Sequence, residues 1–589
     1  MFSQYYREEL AFLREMGREF AAAHPDAAHF LADRGSDPDV ERLLEGFAFL
    51  AGQIRQKLDD ELPEVTHSLL GLLWPNYLRP IPSMTILQFA ALPGLLRERR
   101  VIPRGTEIDS IAVEETTCRF QTAFDAALEP VEIEEAQLET PLSGTPALRL
   151  RIKTLAGVKL HSLRLDRLRV YLSGEPTVQR VLYLLLSRHV AGVTLRGVAG
   201  GTVVRTATLP AAAVEMKGFG DEESLLAYAP HAFAGYRVIQ EYFAFPQKFF
   251  FVEFSGLGIV SQLGSDDTFE IVVSLSHVPA TETRVSRENF LLGCVTAVNL
   301  FKHDADPINV EHDKTEYLVR ASGKDSSHYE IYSVDTVVGH VQGSGAEQRY
   351  PAFFSFGHGG AVAKAGGDAH YHHVRLKPSL LYEGAETYIS FLSVAGETSL
   401  PPAETITLEL TCTNRGLPRT LRVGDIASPT RSSPEFARFR NITKPTAPIS
   451  PPMDGDLFWR LISNLSLNYL SLTNPEALRG VLSLYNFSRF SDRQAARENE
   501  MRIAAIQSIT ARHEESLHHG AALRGVALTI ELDEQGFSGD GDLVLFGSVL
   551  DEFLALYATL NSTSRLTIKG SRAGEVYQWP TRIGRQHLL

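Results

Sequence analysis

The chain has 589 residues, too many for one hydrophobic core, so about three or four domains are expected at typical domain sizes. With 44% hydrophobic and 22% charged residues it has an ordinary globular composition, and a net charge of −14 argues against nucleic-acid binding while leaving room for a local basic patch. Three widely separated cysteines, Cys118, Cys294 and Cys412, form neither a disulfide framework nor a zinc-site spacing, and read as buried reduced thiols.

MFSQYYREEL has no basic region followed by an apolar one, so no signal peptide is expected. A first helix is expected over about Gln4–Ala22, ending near His24-Pro25. Asp37-Pro38 marks a second start, because aspartate can cap free N–H groups and proline tolerates the first turn. Val40, Leu43, Leu44, Phe47, Leu50, Ile54 and Leu58 then repeat at steps of three and four, which puts them on one face. A third helix fits between Leu62 and Tyr77, before the break Pro80-Ile81-Pro82.

From about Thr85 the period becomes two. Leu148, Leu150 and Ile152 alternate with charged residues, as do Phe269, Ile271, Val273 and Leu275 and then Ile406, Leu408, Leu410 and Cys412, which marks half-buried strands. Ala199-Gly200-Gly201 reads as a turn. The longest apolar runs, such as Val181–Leu186, fall far short of the roughly 20 residues of a membrane span, so a soluble cytoplasmic protein is expected. A seam between two β-rich regions is expected near Pro279–Arg287. Residues 425–453, with Pro445, Pro448, Pro451 and Pro452, read as an extended linker. Beyond it, helices are expected at Asp456–Leu470 and Pro475–Tyr485, strand alternation at Val526, Leu528, Ile530 and Leu532, and a last helix carrying Val549, Phe553, Leu556 and Leu560.

The fold class is therefore an α+β multidomain chain. It divides into a helical region (1–84), a β-rich domain (85–280), a second β-rich domain (281–424), a linker (425–453) and a mixed helical and β C-terminal domain (454–589).

Motifs for chemistry are incomplete. His358, His370, His372 and His373, with Asp368, form the strongest metal candidate, but they lie around a glycine-rich stretch, GHGGAVAKAGG, that reads as an exposed loop. His513-Glu514 and His518 miss the HExxH spacing by one residue, which swings the second imidazole off the shared helix face and leaves a solvated turn. Gly536–Asp540 lacks the last glycine of a nucleophile elbow, and His358-Gly359-Gly360 has no elbow to serve as an oxyanion loop. Gly360–Gly367 lacks the ending of a phosphate loop. Asp533, Asp540 and Asp542 do not follow a calcium-loop pattern and read as a Gly/Asp hairpin. No catalytic residue, cofactor or metal is expected. What stands out is apolar helical surface: Phe12, Leu13, Met16 and Phe20, then Phe47, Phe49 and Leu50, more than one stripe needs. These residues build either a local core or a bundle with another chain.

Two blocks, YYREELAFLREMGREF…LLGLLWPNYLRPIPSM near the start and FWRLISNLSLNYLSL…ALRGVLSLY from Phe458 to Tyr485, resemble the TssF (ImpG/VasA) family of type VI secretion baseplate proteins. Further islands keep the same order: Ile102–Thr106, Cys118–Thr122, Glu241–Phe249, Gly293-Cys294 with Asn299–Phe301, Asp306–Ile308, Thr413–Pro418, Leu545–Leu550 and Tyr557–Ser562. Gly416 and Thr563 depart from the family pattern, where an acidic residue and an aromatic are expected.

The resemblance implies a structural subunit that joins TssG, TssK, TssE and spike-hub proteins, with two copies of this chain per TssG, docked at the inner face of the cytoplasmic membrane without inserting into it. It implies no catalysis and no nucleic-acid partner. On that reading the partner-binding candidates are Leu43, Leu44, Phe47 and Leu50, and Trp459, Leu461, Leu465 and Tyr469, each set at helical spacing. A carbohydrate- or ligand-binding β-protein, and a metal hydrolase using the His358–His373 loop, stand as alternatives.

Overall fold

The computed structural model describes residues 6–584 apart from 8, 15, 18–37, 60–68, 72–73, 93, 142–143, 229–233, 278–282, 311–313, 324, 342–345, 354–369, 380–383, 394–403, 452–472, 519–520 and 559–561. The chain forms two compact units: Met1–Trp74 with Pro452–Leu465, and Pro75–Pro451 with Ser466–Leu589.

In the first unit, the described residues from 6 to 17 are helical, and α1 spans Pro38–Asp59, starting at the proline that the sequence marks. Of the third expected helix, residues 69–71 are helical and Pro75–Leu78, at the start of the second unit, is a single 3-10 turn; residues 60–68 lie outside the described residues.

The second unit opens with β1 (Met84–Ala91), β2 (Glu107–Val113) and β3 (Thr116–Thr122), which share one antiparallel sheet. β4 (Val131–Glu139), β5 (Ala147–Thr154), β6 (Val190–Ala199), β7 (Thr202–Leu209) and β8 (Thr268–Leu275) make a second sheet in the order β7-β6-β8-β5-β4. The expected alternation holds here. Leu148, Leu150 and Ile152 and their neighbours Phe269, Ile271 and Val273 are buried, in a register that sets Leu150 against Ile271. On the other face Arg149 and Arg151 are held by Glu135, Glu139 and Glu270. The β6–β7 turn takes positive φ at both Gly200 and Gly201, as a tight hairpin requires.

Two helices interrupt this sheet. α2 (Pro176–Arg188) carries the apolar run and is buried through Leu182–Leu186. α3 (Ala234–Ala244) places Glu241 in the interior, where its carboxylate accepts from the N–H groups of Leu225 (2.8 Å) and Leu226 (3.0 Å) and pairs with the buried Lys248.

β9 (Cys294–Val298) returns to the first sheet and inserts between β3 and β1. A further β region follows, with β10 (His370–Pro378) and β11 (Glu404–Thr413); Ile406, Leu408, Leu410 and Cys412 join Phe301, Val337, Tyr350 and Ile389 in a separate core. All three cysteines are buried free thiols.

The expected linker at 425–453 needs correction. β12 (Ile426–Pro429) pairs with β2, and β13 (Ala437–Asn441) pairs with β1, completing the sheet order β12-β2-β3-β9-β1-β13. The segment then continues alongside β1. Thr443 accepts from Ile86 N (2.9 Å), Thr446 accepts from Met84 N (3.0 Å), and Ile449 exchanges two backbone bonds with Ile81. The prolines beyond β13 leave these donors and acceptors intact, so composition reads as a linker while the backbone is sheet.

In the C-terminal part, α4 (Pro475–Leu484) starts at Asn474, whose side chain accepts from Glu476 N. β14 (Ile506–His518) and β15 (Ala521–Leu532) form a long antiparallel ribbon, and α5 (Asp540–Tyr557) carries the chain to β16 (Ser562–Gly570), parallel to β15. Val549 and Phe553 are buried as expected, Leu556 is half-buried, and Leu560 lies outside the described residues. The expected Gly/Asp hairpin is instead a helix start: Asp533 caps a 3-10 turn, Asp540 opens α5, and the buried Asp542 holds Arg502.

Several resemblance islands converge on one buried node. Asn299 and Asn414 are fully buried. Asn299 Nδ2 donates to Arg119 O (2.7 Å) and Asn414 Oδ1 (2.8 Å), Asn414 N donates to Asn299 Oδ1 (2.7 Å), and Arg119 N donates to Asn414 Oδ1 (3.0 Å). This ties β3, β9 and the end of β11. A second buried group, Glu129, has one oxygen 3.3 Å from Arg99 Nε, and its other oxygen has no hydrogen-bond partner among the described residues. Burial pushes its carboxyl up to about 7, against the pull of Arg99.

Two stability measurements follow from these buried groups. Asn414→Ala strands the N–H of Arg119 and one of Asn299's, so it is expected to cost about 2–4 kcal/mol in urea unfolding, against less than about 0.5 for the exposed Lys444→Ala; equal costs would show the node to be dispensable. Because its folded pKa is raised from 4.5 to about 7, Glu129 binds a proton in the folded state where the unfolded chain does not, and stability from this group is lost as pH rises across that window. Glu129→Gln should therefore raise the urea midpoint, relative to the parent, more at pH 8 than at pH 5; the same difference at both would overturn this.

Candidate partner-binding face

α1 carries apolar residues on two sides. Toward the interior, Ala48 is fully buried, Gly52 is buried and Leu44 is half-buried, one residue per turn. Small side chains at 48 and 52 let this side of the helix sit close to what covers it. Outward, Leu43 is 74% exposed, Phe47 61% and Leu50 58%, with Phe49 beside them. Steps of four and three keep Leu43, Phe47 and Leu50 in one stripe. Phe12 and Met16 of the preceding helical segment are also exposed. Scattered apolar residues on a surface are ordinary, but three large ones in register along two turns form a patch. Of the four candidates on this helix, Leu43, Phe47 and Leu50 are thus exposed, while Leu44 belongs partly to the chain's own packing. Trp459, Leu461, Leu465 and Tyr469 lie outside the described residues.

The other candidates from the sequence come apart. His370, His372 and His373 stand on β10, not in a loop; the strand pairs along its whole length with Ala385–Ser393. His372 is buried and its Nδ1 lies 2.7 Å from the carbonyl of Tyr350; burial lowers the pKa of both His372 and His373. His358 and Asp368, and the loops at 358–360 and 360–367, lie outside the described residues. No group of three or more His, Cys, Asp or Glu poised for a metal occurs among the described residues. His513 and Glu514 belong to β14, so the expected solvated turn is a strand, and Glu514 pairs across the sheet with Arg565.

A cavity of about 480 Å³ lies between α5 and the short strand Arg582–Ile583, lined by Glu552, Leu556, Arg582 and Ile583 among others. The Arg582 guanidinium is committed to Asp551 (2.6 Å) and to Glu552. Burial nevertheless pushes the Asp551 carboxyl up to about 6. Beside it Arg188 lies over the Trp579 ring at 3.9 Å. These contacts clasp the chain end onto α5 and α2 rather than presenting a reactive group.

The sequence reading missed the outward side of β13. The pattern Arg438-Phe439-Arg440 is a strand alternation, with Phe439 5.7 Å from the ring of Phe89 and both arginines exposed, but it was hidden inside the Pro/Ser/Thr-rich stretch.

No helix among the described residues is long and apolar enough to cross a membrane. A family model, Type VI secretion system, TssF, matches residues 1–586. The type VI secretion system component TssF1 of Pseudomonas aeruginosa is 33% identical over 99% of this chain and 98% of its own length. Among solved structures, a chain of a TssK–TssF–TssG baseplate subcomplex, determined by cryo-electron microscopy, superposes with a TM-score of 0.77 at 32% identity, covering 92% of this chain and 98% of that one. A chain of the baseplate complex from the type VI secretion system gives 0.63 at 29% identity, with full coverage of both.

Proposed function

The chain belongs to the TssF family of type VI secretion systems, structural subunits of the baseplate, and on that premise we propose that it uses the outer face of α1 to enter a helical bundle with its own TssG. The solved relative shares a subcomplex with TssK and TssG, which supports the same two partners for this chain. Two copies of the chain join one TssG, TssK and TssE attach to the resulting wedge, and wedges surround the spike hub as the platform for the sheath. The assembly works in the cytoplasm, docked at the inner face of the membrane. The chain acts as a scaffold rather than a catalyst.

The observation that carries this reading is the exposure of Leu43, Phe47 and Leu50 in register on a helix whose opposite side is already packed. Fully burying such a side chain contributes about 1.5–3 kcal/mol, so three of them make a substantial anchor. Trp459, Leu461, Leu465 and Tyr469 supply a second bundle surface on the same reading.

The first experiment is co-expression with the cognate TssG and mass determination by light scattering or native mass spectrometry, with two copies of this chain per TssG expected. Phe47→Asp should lower co-purified TssG by about tenfold or more while leaving the urea midpoint of the isolated chain unchanged, because Phe47 is already exposed. Unfolding of the variant would instead make Phe47 a core residue, and undiminished TssG would remove it from the interface.

A further inference from the structure

The outward face of β13 is basic in a chain whose net charge is −14. Arg438 and Arg440 project from the same side of the strand, and the side chain of Asn441 draws Arg422 alongside by donating to its carbonyl at 2.9 Å. Lys444 follows just beyond. Arg422, Arg438, Arg440 and Lys444 are all exposed, and none is in an ion pair among the described residues.

An acidic counterpart stands on β4, the edge strand of the second sheet. Two of its carboxylates, Glu135 and Glu139, are taken up by Arg149 and Arg151. Glu132 and Glu134 are exposed and in no ion pair among the described residues. The ladder to β5 steps from Ile133 directly to Glu135, so Glu134 is the extra residue of a bulge and is left unpaired in the ladder. The bulge and its charges also make this edge a poor template for an added strand, so whatever meets it does so through side chains.

We propose that Arg438 and Arg440 of one copy engage Glu132 and Glu134 of a second copy. Residues two apart on a regular strand lie about 6.6–6.8 Å from each other, which sets the spacing of Arg438 and Arg440, while Glu132 and Glu134 flank a single residue on the bulged edge and offer two neighbouring carboxylates to meet them. Nucleic acid and anionic lipid are disfavoured because the chain as a whole is acidic. The contact joins two different patches and is therefore heterologous. Each copy keeps one unused partner face, and the contact repeats in one direction until a ring closes or a filament extends. Exposed ion pairs are individually weak and screened by salt. The contact orders copies that an assembly already holds close; it rests on the baseplate reading only for what brings them together.

The test uses the full-length chain without TssG, so its outcome is independent of the α1 interface. The native thiols are buried, so a flexible thiol-specific cross-linker reads only introduced cysteines. One tagged copy carries Ala90→Cys, which faces Arg438 across the ladder, and the other carries Gln137→Cys on β4. At low salt and high concentration, the mixed pair should cross-link well above either like pair, and the yield should vanish at about 0.5 M salt. Adding Arg440→Glu to the first copy should lower the yield about fivefold, and Glu132→Arg in the second should restore it. Arg438→Glu serves as a second variant if Arg440→Glu fails to fold. Cross-linking no better than that of like pairs, or unaffected by charge reversal, would overturn the proposal. So would loss of heparin binding by Arg440→Glu with unchanged cross-linking, which would assign the basic face to a phosphate- or sulfate-bearing partner.

Discussion

The second unit depends on β1 being paired on both sides by strands that arrive from far along the chain. Gln88 faces Cys294 on one side and Arg440 on the other, so the sheet cannot form until three distant segments meet. Such pairings must offset the entropy of closing long loops before they contribute anything. The asparagine node secures the arrangement with hydrogen bonds that can be satisfied only when β3, β9 and the end of β11 are all in place. Because unmade bonds at buried asparagines are costly, the node favours one register over near alternatives.

Around that frame the molecule separates charge from apolar surface in an unusual way. Its interior contains ionised groups in partnership, Glu241 with Lys248 and Asp542 with Arg502. Breaking one member of such a pair leaves an uncompensated buried charge, so each is costly to disrupt even where the intact pair adds little net stability. Meanwhile α1 leaves large apolar side chains in water. Charge inside and apolar residues outside both run against the usual partition, but for different reasons. The buried pairs are satisfied within the chain, whereas Leu43, Phe47 and Leu50 are exposed on the face for which a bundle partner is proposed.

Among the described residues, the asparagine node and the core around Ile406–Cys412 both lie within the second unit. On the readings proposed above, the surfaces left for partners are the apolar stripe of α1 and exposed charges on β13 and β4, whose contacts would be weak and salt-sensitive.

By itself the sequence determined the local periods. Leu148–Ile152, Phe269–Leu275 and Ile406–Cys412 alternate because a strand's side chains do, and α1 begins at Pro38 because the first turn tolerates proline. The apolar stripe of α1 was legible too, since helical spacing alone places Leu43, Phe47 and Leu50 together. Which way that stripe faces was not: Ala48 and Gly52 took the inner side, and only packing distinguishes an inner stripe from an outer one. Tertiary structure alone also turned residues 426–441 from an apparent linker into two strands, since their partners lie in β1 and β2. It set His370–His373 on a paired strand for the same reason. Local propensity is a property of neighbours in sequence, but a strand's identity depends on hydrogen-bond partners that one-dimensional reading cannot supply.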